Sequence, residues 1–210
     1  MRSDSFISKT ICSVLENFLS VKENKSIDLG TPGKILIIRQ HNKLGDLLAG
    51  VSLFRAIKEN YPGSTITLVV SPFNYPGMVN NKFIDRIFVY DKKKLFNPFY
   101  LLKTWRLLRE KYDIVIVPVV VTISSISNFL ARIANAKCRI GANHLNGMKN
   151  DTVFFFDRRV DLDWRAHPDS NVSERSLDIA RPFGINTKNY RSEITFKDED
   201  EKTAEKFIFT

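Results

Sequence analysis

The residues whose types and spacing best suit chemistry lie in one short string, Arg39-Gln-His-Asn-Lys-Leu-Gly-Asp46, directly after the apolar run Lys34-Ile-Leu-Ile-Ile-Arg39. A carboxylate held at a crevice can take a proton from an attacking hydroxyl, which makes Asp46 a candidate general base. Arg39, His41 and Lys43 are of types that bind phosphate. A helix is expected to begin at Gly45-Asp46, where the glycine permits a sharp backbone turn. Aspartate is also a preferred helix N-cap, so Asp46 has a purely structural reading beside the chemical one. Solvated loop charges are the corresponding plain reading for Arg39, His41 and Lys43. The string is not a dinucleotide fingerprint, because it holds one glycine where three are needed, and no Gly-Lys-Ser/Thr follows as in a Walker loop.

Weaker candidates lie further along. Ser124 and Ser125 follow an apolar run and could offer hydroxyls to a sugar or cap a helix. His144 and His167 are read as loop residues without metal-ligand spacing. Trp164 could stack on a sugar ring or simply pack. Cys12 and Cys138 share no metal or disulfide pattern.

The elements that must position these residues are readable from periodicity. Lys34–Arg39 is a buried-strand run, and Leu47–Tyr61 has helical spacing, ended by Pro62-Gly63. Thr65–Ser71 and Arg86–Tyr90 read as strands, 98–111 as a helix with Pro98 in its first turn, Asp113–Val120 as a strand, Ser124–Asn135 as a helix and Cys138–Ile140 as a short strand. Thr152–Phe156 reads as a strand, Ser170–Phe183 as a helix stopped by Gly184, Tyr190–Phe196 as an extended piece and Asp198–Phe207 as the start of a helix. Alternating strands and helices predict an α/β domain with a Rossmann-like, doubly wound parallel sheet, in which ligands bind beyond the carboxyl ends of the strands. Residues 34–197 form that domain, and 198–210 open a connection to whatever follows. Residues 1–33 form a prefix in which Ile7, Ile11, Val14, Phe18 and Val21 mark an amphipathic helix over 5–22, followed by a linker. That helix has two readings, docked on the domain's own surface or resting on a membrane interface.

Composition narrows the class. With 43% hydrophobic and 26% charged residues in 210, the chain has the make-up of an ordinary globular protein. The net charge of +9 calls for an anionic partner. The densest basic run is Lys92-Lys-Lys94, too short to suggest nucleic acid, which leaves a membrane surface or a phosphorylated substrate. The longest apolar run, Ile114–Ile123, contains Pro118 and falls short of the roughly 20 residues a membrane span needs. No signal-peptide pattern opens the chain, so a cytoplasmic location is expected, with peripheral contact to the inner face of the membrane.

The ordered set Lys34-Ile-Leu-Ile-Ile-Arg39, Gly45-Asp46, Leu53-Phe-Arg-Ala-Ile57, Tyr61-Pro-Gly63, Ile66–Pro72, Phe83-Ile-Asp85, Val89-Tyr-Asp91, Tyr112-Asp-Ile-Val115 and Arg139-Ile-Gly141 resembles glycosyltransferase family 9, the heptosyltransferases of lipopolysaccharide synthesis. The resemblance covers residues 34–197 and implies the N-terminal domain of a GT-B enzyme, in which this half meets the acceptor and a C-terminal half holds the nucleotide-sugar. It implies Asp46 as catalytic base in an inverting transfer, with Gly45, Lys43, Arg39, His41, Ser124 and Ser125 as candidate substrate contacts. No metal or cofactor is implied; ADP-heptose is the expected co-substrate, and a lipopolysaccharide core or related anionic glycolipid the acceptor. The loop before Asp46 is one residue longer than the commoner family pattern, and Ser52 stands where a helix proline is usual. Without a donor half, this chain is expected to be inactive alone. The alternatives are a non-catalytic module that binds a glycolipid or a partner, and a truncated gene product.

Overall fold

The computed structural model describes residues 9–196, with side chains from Cys12 onward. At its centre lies β1 (Lys34–Arg39), whose residues Ile35 to Ile38 are all fully buried. A strand covered on both faces needs apolar side chains at every position, which is why this run shows no polar alternation. On one side β1 pairs in parallel with β2 (Thr65–Val70), and β2 with β3 (Arg86–Val89). On the other it pairs in parallel with β4 (Tyr112–Ile116), and β4 with β5 (Ala136–Leu145). The two-residue β6 (Met148–Lys149) turns back on the end of β5, and β7 (Arg158–Leu162) pairs with β5 in parallel. The resulting order, 3-2-1-4-5, reverses direction between β1 and β4. This is the doubly wound, Rossmann-like sheet expected from the sequence.

Helices cover both faces. Ile35, Ile37, Ile66 and Leu68 pack under α2 (Leu44–Ala49) and α3 (Val51–Asn60). Leu36, Ile38, Val69 and Val115 pack on the other face under α4 (Pro98–Arg109) and α5 (Ser125–Ile133). α1 (Lys9–Leu19) docks beside α5, with Leu15 and Leu19 against the core, Arg132 donating to the Leu19 carbonyl and the Val21 amide bonded to the Phe154 carbonyl at 2.9 Å. The docked face is not the expected stripe, since Val14 and Phe18 are exposed. Ile7, and the side chain of Ile11, lie outside the described residues.

Several expectations need correction. The helix expected over Leu47–Tyr61 starts at Leu44 and breaks at Gly50, whose amide bonds to Leu47 O, three residues back, at 3.0 Å. The segment expected as the strand Thr152–Phe156 is a 3-10 turn, Val153–Phe155. It is set by a buried polar knot in which Asn150 accepts the Thr152 amide at 3.0 Å and its hydroxyl at 2.8 Å, while Asn128 donates to that hydroxyl at 2.7 Å. The apolar run is buried, as Phe154, Phe155 and Phe156 show, but its backbone bonds locally. The helix expected over Ser170–Phe183 is only α6 (Val172–Arg175), followed by turns and the 3-10 segment Arg181–Phe183. Pro182 has no amide to continue a helix, and Gly184 does end the segment, at φ 77°. His144 lies within β5 rather than in a loop. Tyr190–Phe196 joins no strand; Arg55 straps the preceding turn to α3 through Asn189 O at 2.5 Å and Glu193 at 2.8 Å. The helix expected from Asp198 lies outside the described residues.

Gly141 marks the tightest contact between β5 and its cover. A Cβ there would stand 2.4 Å from two ring carbons of Phe156, itself fully buried. Overpacking of this kind costs about 1–3 kcal/mol. Gly141→Ala is therefore expected to lower the urea midpoint by that equivalent, and Phe156→Leu should recover part of the loss in the Gly141→Ala background. Equal stability of wild type and Gly141→Ala would show that the ring moves aside freely.

Candidate functional site

The crevice forms where the strand order reverses, beyond the carboxyl ends of β1 and β4, because the helices following these two strands leave to opposite faces. Arg39, the last residue of β1, points into it and is 5% exposed. A buried guanidinium needs partners for its donors. One nitrogen donates to Pro118 O, just past β4, at 3.4 Å, and another donates to Asp46 Oδ2 at 3.1 Å. Burial pushes the Arg39 pKa below its ordinary value, with Asp46 opposing the shift; the side chain stays charged because its starting value is so high.

Asp46 does not cap its helix. The N-cap of α2 is Lys43, with no side-chain bond, and Asp46 lies in the first turn with its carboxylate turned to Arg39. The N-cap reading is thus replaced by an ion pair. The side chain of Asp46 is 17% exposed, so its carboxylate is held by Arg39 and partly covered. Gly45 also departs from expectation. It does not have a positive φ, it lies inside α2, and a Cβ built on it would meet nothing within 4 Å. No sharp turn requires it. Its lack of a side chain leaves open space beside Asp46.

The loop that carries these residues is tied to its neighbours. Gln40, 4% exposed, donates to Ser124 Oγ at 2.9 Å. Ser124 also caps α5 by accepting the Ser127 amide at 3.2 Å, so the capping reading holds and the hydroxyl has a second duty. Ser125 is the first residue of α5 and is half-buried. The ring of His41 meets the Thr122 hydroxyl at 3.4 Å, and the His41 carbonyl accepts from the side chain of Asn74, a fully buried residue in the loop after β2. Lys43 is exposed at the lip. The structure therefore gathers Arg39, His41, Lys43, Gly45, Asp46 and Ser124 around one crevice. The solvated reading fails for Arg39, which is buried, whereas Lys43 is exposed. Gln40, Asn74 and Thr122 were not singled out in the sequence; for Gln40, the signal is a polar residue directly after a fully buried strand.

The remaining candidates belong elsewhere. Trp164 is buried, donates its indole N–H to Asp178 at 2.7 Å and carries Arg175 over its ring, which is the packing reading. It borders a groove of about 530 Å³ with His167, Glu174 and Arg181, in which Arg181 pairs with Glu174 at 2.9 Å and with Asp178 at 2.5 Å. His144 pairs with Asp161 at 2.8 Å at the far strand. Burial pushes the Cys138 thiol up to about 12, so it is unreactive. Among the described residues, no group of three or more His, Cys, Asp or Glu side chains is placed to hold a metal.

No family model and no curated protein matches this sequence. Solved structures do. A glycosyl transferase of family 9 from Veillonella parvula DSM 2008 superposes with a TM-score of 0.68 at 20% identity, over 90% of this chain and 50% of its own. The E. coli heptosyltransferase WaaC with ADP-2-deoxy-2-fluoro heptose gives 0.56 at 16% identity, over 77% of this chain and 52% of its own. E. coli ADP-heptose lps heptosyltransferase II gives 0.57 at 16% identity, over 83% and 50%. The chain thus spans about half the length of the structures it resembles. At these identities the likeness is one of fold, a Rossmann-like domain shared with about half of each of these transferases.

Proposed function

We propose that this chain is the acceptor-side half of an inverting glycosyltransferase and that Asp46 is its general base. The observation that carries the reading is the placement of Asp46: a carboxylate held by buried Arg39 and partly exposed, at the strand-order reversal of a fold shared with glycosyltransferases. In the reaction, Asp46 takes the proton of an acceptor hydroxyl as its oxygen attacks the anomeric carbon of the donor. The bond to the nucleoside diphosphate breaks, and the anomeric configuration inverts. Arg39 fixes the carboxylate's position, which matters because general-base catalysis needs the base within hydrogen-bond reach of the proton.

The names of the E. coli structures, one with an ADP-heptose analogue and one an ADP-heptose transferase, support ADP-heptose as donor and a lipopolysaccharide core or related glycan as acceptor. Lys43 at the lip and His41 within it suit acceptor phosphates, and Ser125 suits a sugar hydroxyl. Coverage of half of each related structure supports a division of labour in which a second half binds the donor. The 210-residue chain then binds acceptor but does not turn over alone, working at the cytoplasmic face of the membrane where a nucleotide-sugar is available.

Three outcomes are expected. In a protein that joins this chain to its donor-binding half, Asp46→Asn should lower kcat by about 10²–10⁴-fold, the usual range for a general base, with acceptor affinity kept; near-normal turnover would return Asp46 to a structural role, and heptose transfer by the 210-residue chain alone would refute the division of labour. Gly45→Ala should stabilise the fold by roughly 0.5–1 kcal/mol, as alanine does in helices, yet weaken binding of a deacylated core oligosaccharide in a calorimetric titration. Unchanged binding would mean that no ligand approaches Gly45. In denaturant titrations, Arg39→Ala and Asp46→Ala should show a coupling of about 1–3 kcal/mol, as contacting charges do; additive losses would deny that the pair holds the crevice together.

A further inference from the structure

α4 is docked by one face only. Its inner side buries Thr104, Leu107 and Leu108, and Asn97 caps its start by accepting the Phe99 and Tyr100 amides at 2.9 and 3.2 Å. Its outer side should be polar for a helix of a water-soluble surface. Instead it shows Phe99, 82% exposed, with Leu101, Leu102 and Trp105 about half exposed, and Phe96 just ahead of the helix is 96% exposed. Contiguous exposed aromatic surface of this kind marks an interaction site.

The charges around it say what kind. From Lys92 to Arg109 the chain carries Lys92, Lys93, Lys94, Lys103, Arg106 and Arg109 and no acidic residue, a net +6 within a chain of net +9. All six are exposed. The acidic residues at the two ends are already engaged: Asp91 accepts the Lys93 amide at 3.0 Å, and Glu110 binds Arg86 at 2.7 Å. A partner must therefore offer an apolar layer for the aromatic tip and negative charge beside it. Nucleic acid offers charge without the apolar layer.

We propose that the outer face of α4, with Phe96 ahead of it, docks on an anionic lipid bilayer. Phe96, Phe99 and Trp105 enter the boundary between headgroups and acyl chains, and the six cations meet anionic headgroups, the division of labour of an interfacial helix. The capped, half-buried helix is already formed, so insertion orders no new backbone. Because α4 runs opposite to the strands, its Phe96–Phe99 end lies at the same edge of the sheet as the Asp46 crevice. Docking therefore brings the crevice to the lipid surface. This inference rests on the surface itself and stands whether or not Asp46 transfers a sugar.

The test is flotation of the 210-residue chain with vesicles of phosphatidylcholine alone or mixed with phosphatidylglycerol, together with quenching of Trp105 by brominated acyl chains. Binding is expected to the mixed vesicles, to weaken as salt is raised, and to quench a signal that Trp105→Phe removes. Phe96→Ser with Phe99→Ser, and separately Lys103→Glu with Arg106→Glu, should each lower partitioning by at least about tenfold, with thermal unfolding unchanged because all four side chains are exposed. Equal binding of these variants and wild type would overturn the proposal. So would loss of binding on Phe18→Ser instead, which would move the contact to α1. Self-association that Phe99→Ser abolishes, without any vesicle binding, would make the face a protein interface.

Discussion

Everything in this molecule is arranged around a strand that has no solvent side. Ile35 to Ile38 are fully buried, so β1 must have a neighbour on each edge and a helical layer on each face. That requirement fixes the direction of the chain. After β1 it must leave to one face, return as β2, and later cross to the other face to reach β4 on the opposite edge. The crevice is what remains where these two paths diverge. It is a product of the core's burial, and the chemistry is confined to the side chains that β1 can deliver at its end.

Arg39 shows how a charge is used at such a place. A guanidinium with 5% of its surface exposed would be costly alone. Its partners come from two separate elements, the segment after β4 and the first turn of α2, so neutralising the charge also sets their spacing. Gln40 and His41 extend the same arrangement with bonds to Ser124 and Thr122, and Asn74 donates to the His41 backbone carbonyl. A rigid floor results, in which the acidic group stays partly exposed.

The sheet was legible because its signals are summed over many residues: runs such as Ile35–Ile38 and Ile66–Val70 have the length and composition of buried strands, and Pro98 announces a helix start that the structure confirms. What escaped reading depends on individual side-chain pairings rather than on composition. Asp46 has the chemistry of an N-cap, and only the proximity of Arg39 diverts it. Phe154-Phe155-Phe156 has strand composition, and only Asn150 and Asn128, with Thr152 between them, curl it into a turn. The position of Asp46 at the crevice was readable, because a loop after a buried strand in this topology can go nowhere else. The anchor beneath it was not, because nothing local distinguishes an arginine that ends a strand from one that is solvated.

The span between the two walls of the crevice has a kinetic meaning. β1 and β2 are joined by a compact helical link, with Ile35 opposite Ile66, and this unit can close early. Arg39 and Pro118, by contrast, are 79 residues apart in sequence. Closing so long a loop is entropically slow, and contacts of that range are made late. During synthesis, the first half of the sheet therefore exists with an open edge, and with Arg39 paired to Asp46 but lacking its Pro118 carbonyl, until β4 arrives. The site completes only when the sheet does, so a chain that stalls before β4 carries the residues of the crevice without its shape.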